Sequence, residues 1–388
     1  MKRLTSLLFI ALIFSCAKPT DPDSQILPGA YQLEEYLPLL EEKRVGLFVN
    51  HTSLIKEAHL IDTLQLLNVN ITKVFSPEHG FKGKHSDGEE IENQVNENDF
   101  ELISLYGSSK KPSDDQMSDL DVLIIDIQDV GVRFYTYAST MTYLMESCAR
   151  NGVKVILLDR PNPNGSYVDG PVLKEEFSSF IGLHPIPLVH GLTLGELALM
   201  INGEGWLENE TQCDLKIIKV RNWTHDMPYS LPINPSPNLP NDLSISLYPS
   251  LGLFEGTVAS VGRGTKKQFQ IIGHPAYPDT AFSFIPKPNL GSKYPPLEGK
   301  TCYGVDLSGK TIKYELDLKF LIEFYSSTKG SLENSFFNSY FKKLAGTDEL
   351  QKQIETGVSE EMIRKSWESD LGSYRKMRQE YLLYPEKR

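Results

Sequence analysis

Six consecutive residues, Ser76-Pro77-Glu78-His79-Gly80-Phe81, set a carboxylate beside an imidazole. They follow an apolar run over 71–75 that reads as a short buried strand. Pro77 has no N–H to give a strand ladder, and Gly80 admits backbone angles that other residues resist. The stretch therefore predicts a tight turn just past a strand. Glu78 lies between Phe75 and Phe81 in sequence, and apolar surroundings raise a carboxyl pKa toward the range useful to a general acid. A lone Glu-His pair is more often a solvated turn beside a capping histidine, so the weight falls on what else converges there.

Three other strand ends carry polar clusters: Asn50-His51, Asp126 to Arg133, and Asp159-Arg160-Pro161-Asn162. In a parallel sheet all four ends lie on one edge, and ligands bind beyond the carboxyl ends of such strands. Asp126 interrupts an apolar strand, where a carboxylate requires a partner. Two readings stay open for it: an ion pair with Arg133 or Arg160, or a catalytic role. Glu78 with Asp126 or Asp129 supplies the two carboxylates of glycoside hydrolysis, one protonating the leaving oxygen and one acting as base or nucleophile. Gln128 stands between those two aspartates, and Tyr135 and Tyr137 offer rings to a sugar. Glu78, His79, His85 and Asp87 have metal-ligand chemistry but no regular zinc spacing, and a metal-dependent hydrolase is the rival enzyme class. No Gly-x-Ser-x-Gly elbow occurs. Further along, Gly262 and Gly264 flank Arg263, a pattern that aims a guanidinium at an anion, close in sequence to Glu255.

The elements that must position these groups alternate. Strands are expected at 44–49, 71–75, 102–105, 121–127, 154–158 and 214–220. Helices are expected at 57–68 and 137–149, the latter stopped by Asn151-Gly152, and at 194–201, opened by a Thr193–Glu196 capping box. This is an α/β pattern: a Rossmann-like, doubly wound, mostly parallel sheet. Neither Gly-x-Gly-x-x-Gly nor a phosphate-binding P-loop is present, so no dinucleotide is expected. Residues 82–100 form a long polar loop beside the Glu78 turn. Residues 221–245, rich in Pro and Asn, read as a crossing into a second, smaller α+β domain. There, β-like runs at 268–272 and 310–316 mix with helices at 317–325 and 359–381. The expected division is 1–15, 16–30, 31–240 and 241–388.

The 388 residues carry a formal net charge of −12, which disfavours a nucleic-acid partner or broad attachment to anionic lipid. An anionic ligand would need specific cations. Lys2 and Arg3 precede a twelve-residue apolar stretch ending at Cys16, too short to span a bilayer. Ile13-Phe14-Ser15-Cys16 resembles a bacterial lipobox, which implies cleavage and acylation at Cys16. Residues 18–24 would then be a tether, and the protein would be anchored in the cell envelope by lipid alone. Cys148, Cys213 and Cys302 show neither a disulfide framework nor a zinc pattern.

Taken in order, Ser76-Pro-Glu-His-Gly-Phe81, Asp126-Ile-Gln-Asp-Val-Gly131 with Arg133-Phe-Tyr-Thr-Tyr137, Asp159-Arg-Pro-Asn-Pro163, His190-Gly-Leu-Thr193, Pro235-Ser-Pro-Asn238, and Glu255-Gly-Thr257 with Gly262-Arg-Gly-Thr265 resemble the exo-β-N-acetylmuramidase family of the NamZ type. The resemblance runs from about residue 40 to the C-terminus. It implies release of N-acetylmuramic acid from the non-reducing end of peptidoglycan fragments, in a cleft between the domains, with no cofactor. The family's proposed catalytic glutamate falls on Glu78, and to it we add Asp126 or Asp129 as the assisting carboxylate. The candidate substrate contacts are Asn50, His79, Gln128, Arg133, Tyr137, Arg160, Asn162, Asn238, Glu255 and Arg263. Arg160 and Arg263, then Arg133, are the candidates for the lactyl carboxylate. Val258 and Gln268 depart from the family pattern. The rival from another class is a non-catalytic peptidoglycan-binding lipoprotein.

Overall fold

The computed structural model describes residues 25–77, 94–95, 100–107 and 109–386, leaving aside the side chains of 94–95. The chain builds a central sheet from β1 (Val45–Val49), β2 (Ile71–Ser76), β3 (Gln94–Val95), β4 (Glu101–Ser104), β5 (Val122–Asp126), β6 (Lys154–Leu158) and β7 (Leu215–Ile218). Their spatial order is β7-β6-β5-β1-β2-β4-β3. All neighbours run parallel except β3 against β4. The order reverses direction about β1, as a doubly wound sheet requires.

Continuous apolar strands are what a sheet covered on both faces needs. Phe48, Phe75, Ile103, Ile125, Val155 and Leu157 pack on one face, against α2 (Tyr137–Asn151) and α3 (Leu194–Gly203). Leu47, Val49, Val74, Ile124 and Ile156 pack on the other, with α1 (Leu60–Leu66). Gly152, left-handed at φ 67°, ends α2, and the Thr193–Glu196 capping box opens α3.

A smaller domain follows, with three antiparallel strands, β8 (Ile271–His274), β9 (Ser283–Phe284) and β10 (Cys302–Asp306), in the order β8-β10-β9. Helices α4 (Asp242–Leu251), α5 (Lys319–Thr328) and α6 (Glu360–Arg378) join it, with shorter helices at Phe341–Ala345 and Glu349–Glu355. The strand expected over 310–316 is absent. That segment is irregular, and the strand lies earlier, at β10, where Gly304 weakens the propensity signal. Helix α6 packs against the Asp169–Val172 strand of the first domain, and one apolar core runs through both domains. The chain end returns to the first domain. Tyr384 Oη donates to Asp159 Oδ2 at 2.6 Å and accepts from Val220 N at 2.9 Å.

Candidate active site

The sheet register fixes where the strand exits lie. Val49 pairs with Asp126 and Ser76 with Ser104, so Asn50, Pro77, Leu105 and Ile127 begin neighbouring loops on one edge. Side chains lace those loops together. Asn50 Oδ1 accepts from Thr52 N and Thr52 Oγ1 at 2.9 and 2.6 Å, and Thr52 Oγ1 accepts from Gln128 N at 3.1 Å. Gln128 Nε2 donates to Pro161 O at 2.9 Å, which joins the β1, β5 and β6 exits.

Beside this edge opens a cleft of about 570 Å³, lined by residues of both domains. That volume falls among small-molecule sites, about 300–1,000 Å³. Its floor is a run of edge-to-face rings: Tyr137 to Tyr135 at 4.7 Å, Tyr135 to Tyr248 at 6.1 Å, and Tyr248 to Phe269 at 4.9 Å between centroids. Asn50 Nδ2 donates to Tyr137 Oη at 2.9 Å, and Tyr135 Oη donates to Pro235 O at 2.9 Å. The 235–239 crossing segment is thereby held against the floor, and Asn238 lines the cleft with its Nδ2 donating to Gly291 O at 2.6 Å. At the far end Arg263 Nε meets Glu255 Oε1 at 2.6 Å, and its guanidinium lies 5.1 Å from the Phe269 centroid. Gly262 and Gly264, at φ 81° and 77°, make the turn that presents Arg263.

Tyr137, Asn238, Glu255 and Arg263 thus line the cleft among the residues expected from sequence. Others on that list lie beneath it and face protein. Asp126 and Arg160 form a bidentate pair, Nε–Oδ1 2.6 Å and Nη2–Oδ2 2.9 Å, with side chains 0% and 4% exposed. The reading of Asp126 as half of a structural pair therefore describes its contacts, and Arg160 is turned to it rather than to a ligand. Arg133 donates to Pro171 O and Ile186 O, both at 2.8 Å, and to Leu344 O at 2.9 Å, tying the two domains together. Asn162 bridges Leu192 O and Asn164 N. Asp159 accepts from Thr193, Gly195, Arg160 N and Tyr384.

Asp129 is different. Its Oδ1 accepts from Gly131 N at 2.7 Å, while its buried Oδ2 has no partner among the described residues. Burial pushes its carboxyl up to about 7. A carboxyl raised in the folded state binds its proton more tightly than in the unfolded chain. Its stabilising effect is present at low pH and is lost as pH rises from about 4 through about 7. We expect Asp129→Asn to gain stability relative to the parent chain between pH 5 and pH 8. Thermal unfolding of both proteins across that range checks it, and a constant difference in midpoint would contradict it.

Glu78 and His79 lie outside the described residues, as do His85, Asp87 and Cys16. Ser76 O at the end of β2 accepts from Leu105 N at 2.8 Å, and the next residue, Tyr106, lines the cleft. The chain leaves β2 toward Glu78 from that point. Among the described residues, no group of three or more His, Cys, Asp and Glu could hold a metal ion, and no helix is long and apolar enough to cross a membrane. Lys110, Phe180, Tyr248 and Lys343 also line the cleft, and sequence reasoning missed them. They lie outside the motifs, and only their placement marks them.

Comparisons with known proteins cover nearly the whole chain. Residues 45–243 match the family model described as exo-beta-N-acetylmuramidase NamZ, N-terminal, and residues 246–384 match its C-terminal counterpart. The peptidoglycan beta-N-acetylmuramidase NamZ of Bacillus subtilis is 37% identical over 386 residues, covering 91% of this chain and 89% of that protein. Crystal structures of two DUF1343 family proteins of Bacteroides fragilis superpose with TM-scores of 0.86 and 0.81, at 44% and 28% identity. Each covers 94% of this chain and 100% of its own.

Proposed function

The chain belongs to the exo-β-N-acetylmuramidase NamZ family, and we propose that it cleaves its substrate in the interdomain cleft with Glu78 as general acid. It is a glycosidase, an exo-acting β-N-acetylmuramidase that acts on peptidoglycan-derived muramic-acid saccharides. The observation that carries the placement is the aromatic floor joining both domains beside the exit of β2. Sugar rings present apolar C–H faces to such rings, while the surrounding polar groups fix their hydroxyls.

In this reading Glu78 donates its proton to the glycosidic oxygen as the bond to the anomeric carbon breaks. Asp126 is held by Arg160 below the cleft, so the substrate's own 2-acetamido oxygen attacks that carbon. Water then opens the cyclic intermediate and returns a proton to Glu78. Asp129 is buried, with its Oδ1 held by Gly131 N at 2.7 Å. Incubating the purified chain with a muramic-acid disaccharide tests the reading. Free N-acetylmuramic acid is the expected product, by mass spectrometry, with the anomeric configuration retained by NMR. A chain that binds the disaccharide without cleaving it would instead be a glycan-binding protein.

The envelope placement belongs to the same proposal. Lys2, Arg3, the apolar stretch and Cys16 fit a lipoprotein signal, and an anchored enzyme would meet cell-wall sugars where they lie. The division of the chain near residue 240 belongs to it too, since the 235–239 segment both crosses between domains and borders the cleft.

A further inference from the structure

The protein is acidic, with a formal net charge of −12, yet the described lining of its cleft carries Lys110, Arg263 and Lys343 against one carboxylate, Glu255. Arg263 is engaged by that carboxylate. Lys110 and Lys343 are not in this position: among the described residues neither ammonium has a carboxylate partner. The neighbouring Lys111 shows the contrast, with Glu146 and Glu208 at 2.8 and 2.7 Å. Two cations in one cleft, neither paired with a carboxylate among the described residues, in a protein rich in acids, are an arrangement that suits an anionic ligand.

Lys110 is positioned by a ring contact and Lys343 by the helix that carries it. Lys110 Nζ lies 4.4 Å from the Phe180 ring centroid, a cation–π contact that positions the ammonium without neutralising it. Lys343 sits on the short helix Phe341–Ala345. That helix lies so close to the Glu255 segment that a Cβ on Gly256 would meet Phe341 Cα at 2.4 Å. One lysine belongs to the first domain and the other to the second.

We propose that Lys110 and Lys343 bind the lactyl carboxylate of the substrate and select muramic acid with a free carboxylate over the same sugar with that group neutralised. This rests on the glycosidase reading and names the residues that set its specificity. An ammonium is a point charge with three donors, so two of them can hold a carboxylate without the fixed fork that a guanidinium imposes. They also offset the adverse field that a net acidic protein presents to an anion.

The test compares a chromogenic N-acetylmuramide with its lactyl methyl ester, on the parent chain, Lys110→Met, Lys343→Met and the double variant. Each lysine contact is expected to be worth roughly tenfold, the usual size of a charge-assisted bond of about 1.4 kcal/mol. The loss should fall on KM for the acid rather than on kcat. In the double variant the acid-to-ester preference should drop toward one. A double variant that keeps the parent's preference overturns the inference. Calorimetric binding of N-acetylmuramic acid and its methyl ester gives a readout independent of turnover. A parent chain that binds both equally also overturns it. A chain that cleaves neither substrate but binds the acid over the ester would sink the hydrolytic reading and leave this inference standing.

Discussion

Replacing Glu78 by Gln lowers kcat on a muramic-acid disaccharide by at least about a hundredfold, the low end of what a positioned general acid contributes. Gln keeps the size and the hydrogen-bonding reach of Glu but has no proton to give. KM should therefore move little. The loss should also depend on the leaving group. The nitrophenolate of a nitrophenyl muramide leaves as a weak base and needs little protonation, so the variant should lose far less on that substrate than on the disaccharide. Steady-state kinetics on the two substrates check this. Equal losses on both would place Glu78 in binding or in structure. Full activity on the disaccharide would remove it from the mechanism.

Asp126→Ala is the second large effect, and it falls on the fold. The substitution strands the Arg160 guanidinium in a site where its side chain is 4% exposed. Breaking a buried ion pair by removing one member costs about 3–5 kcal/mol, because the other charge stays behind without a partner. Among the described residues, Leu54 O, at 3.1 Å from Nη2, is the acceptor left to it. Pairing Asp126→Leu with Arg160→Met should restore much of the loss, since both charges then leave together. Denaturant unfolding of the single and double variants measures both. If Asp126→Asn folded with the parent's stability yet lost all turnover, Asp126 would be a catalytic carboxylate after all.

The contrast between Asp126 and Arg263 shows how far the sequence could be read. Period and composition located the parallel strands, because a strand covered on both faces is apolar along its length, as at Val122 to Ile125. The convergence of Asn50, Asp126 and Asp159 on one sheet edge followed from parallel topology alone. Which way a polar side chain turns at that edge did not follow. Arg160 and Arg133 looked like anion clamps, and partners remote in sequence claim both, Asp126 for one and the Leu344 carbonyl of the second domain for the other. Lys110 and Lys343 carry no pattern at all, and only tertiary structure brings them into one cleft. The misplaced strand at 310–316 has a local cause: Ile312 and Tyr314 alternate like a strand but are exposed, while β10 carries Gly304 at its centre.

The most direct test of the account is a crystal structure of the chain with N-acetylmuramic acid bound. The account predicts the sugar ring over Tyr135 and Tyr137, between the two domains, with the Glu78 carboxyl within about 3 Å of the anomeric oxygen. A sugar bound elsewhere, or a Glu78 side chain turned away from an occupied cleft, would contradict it.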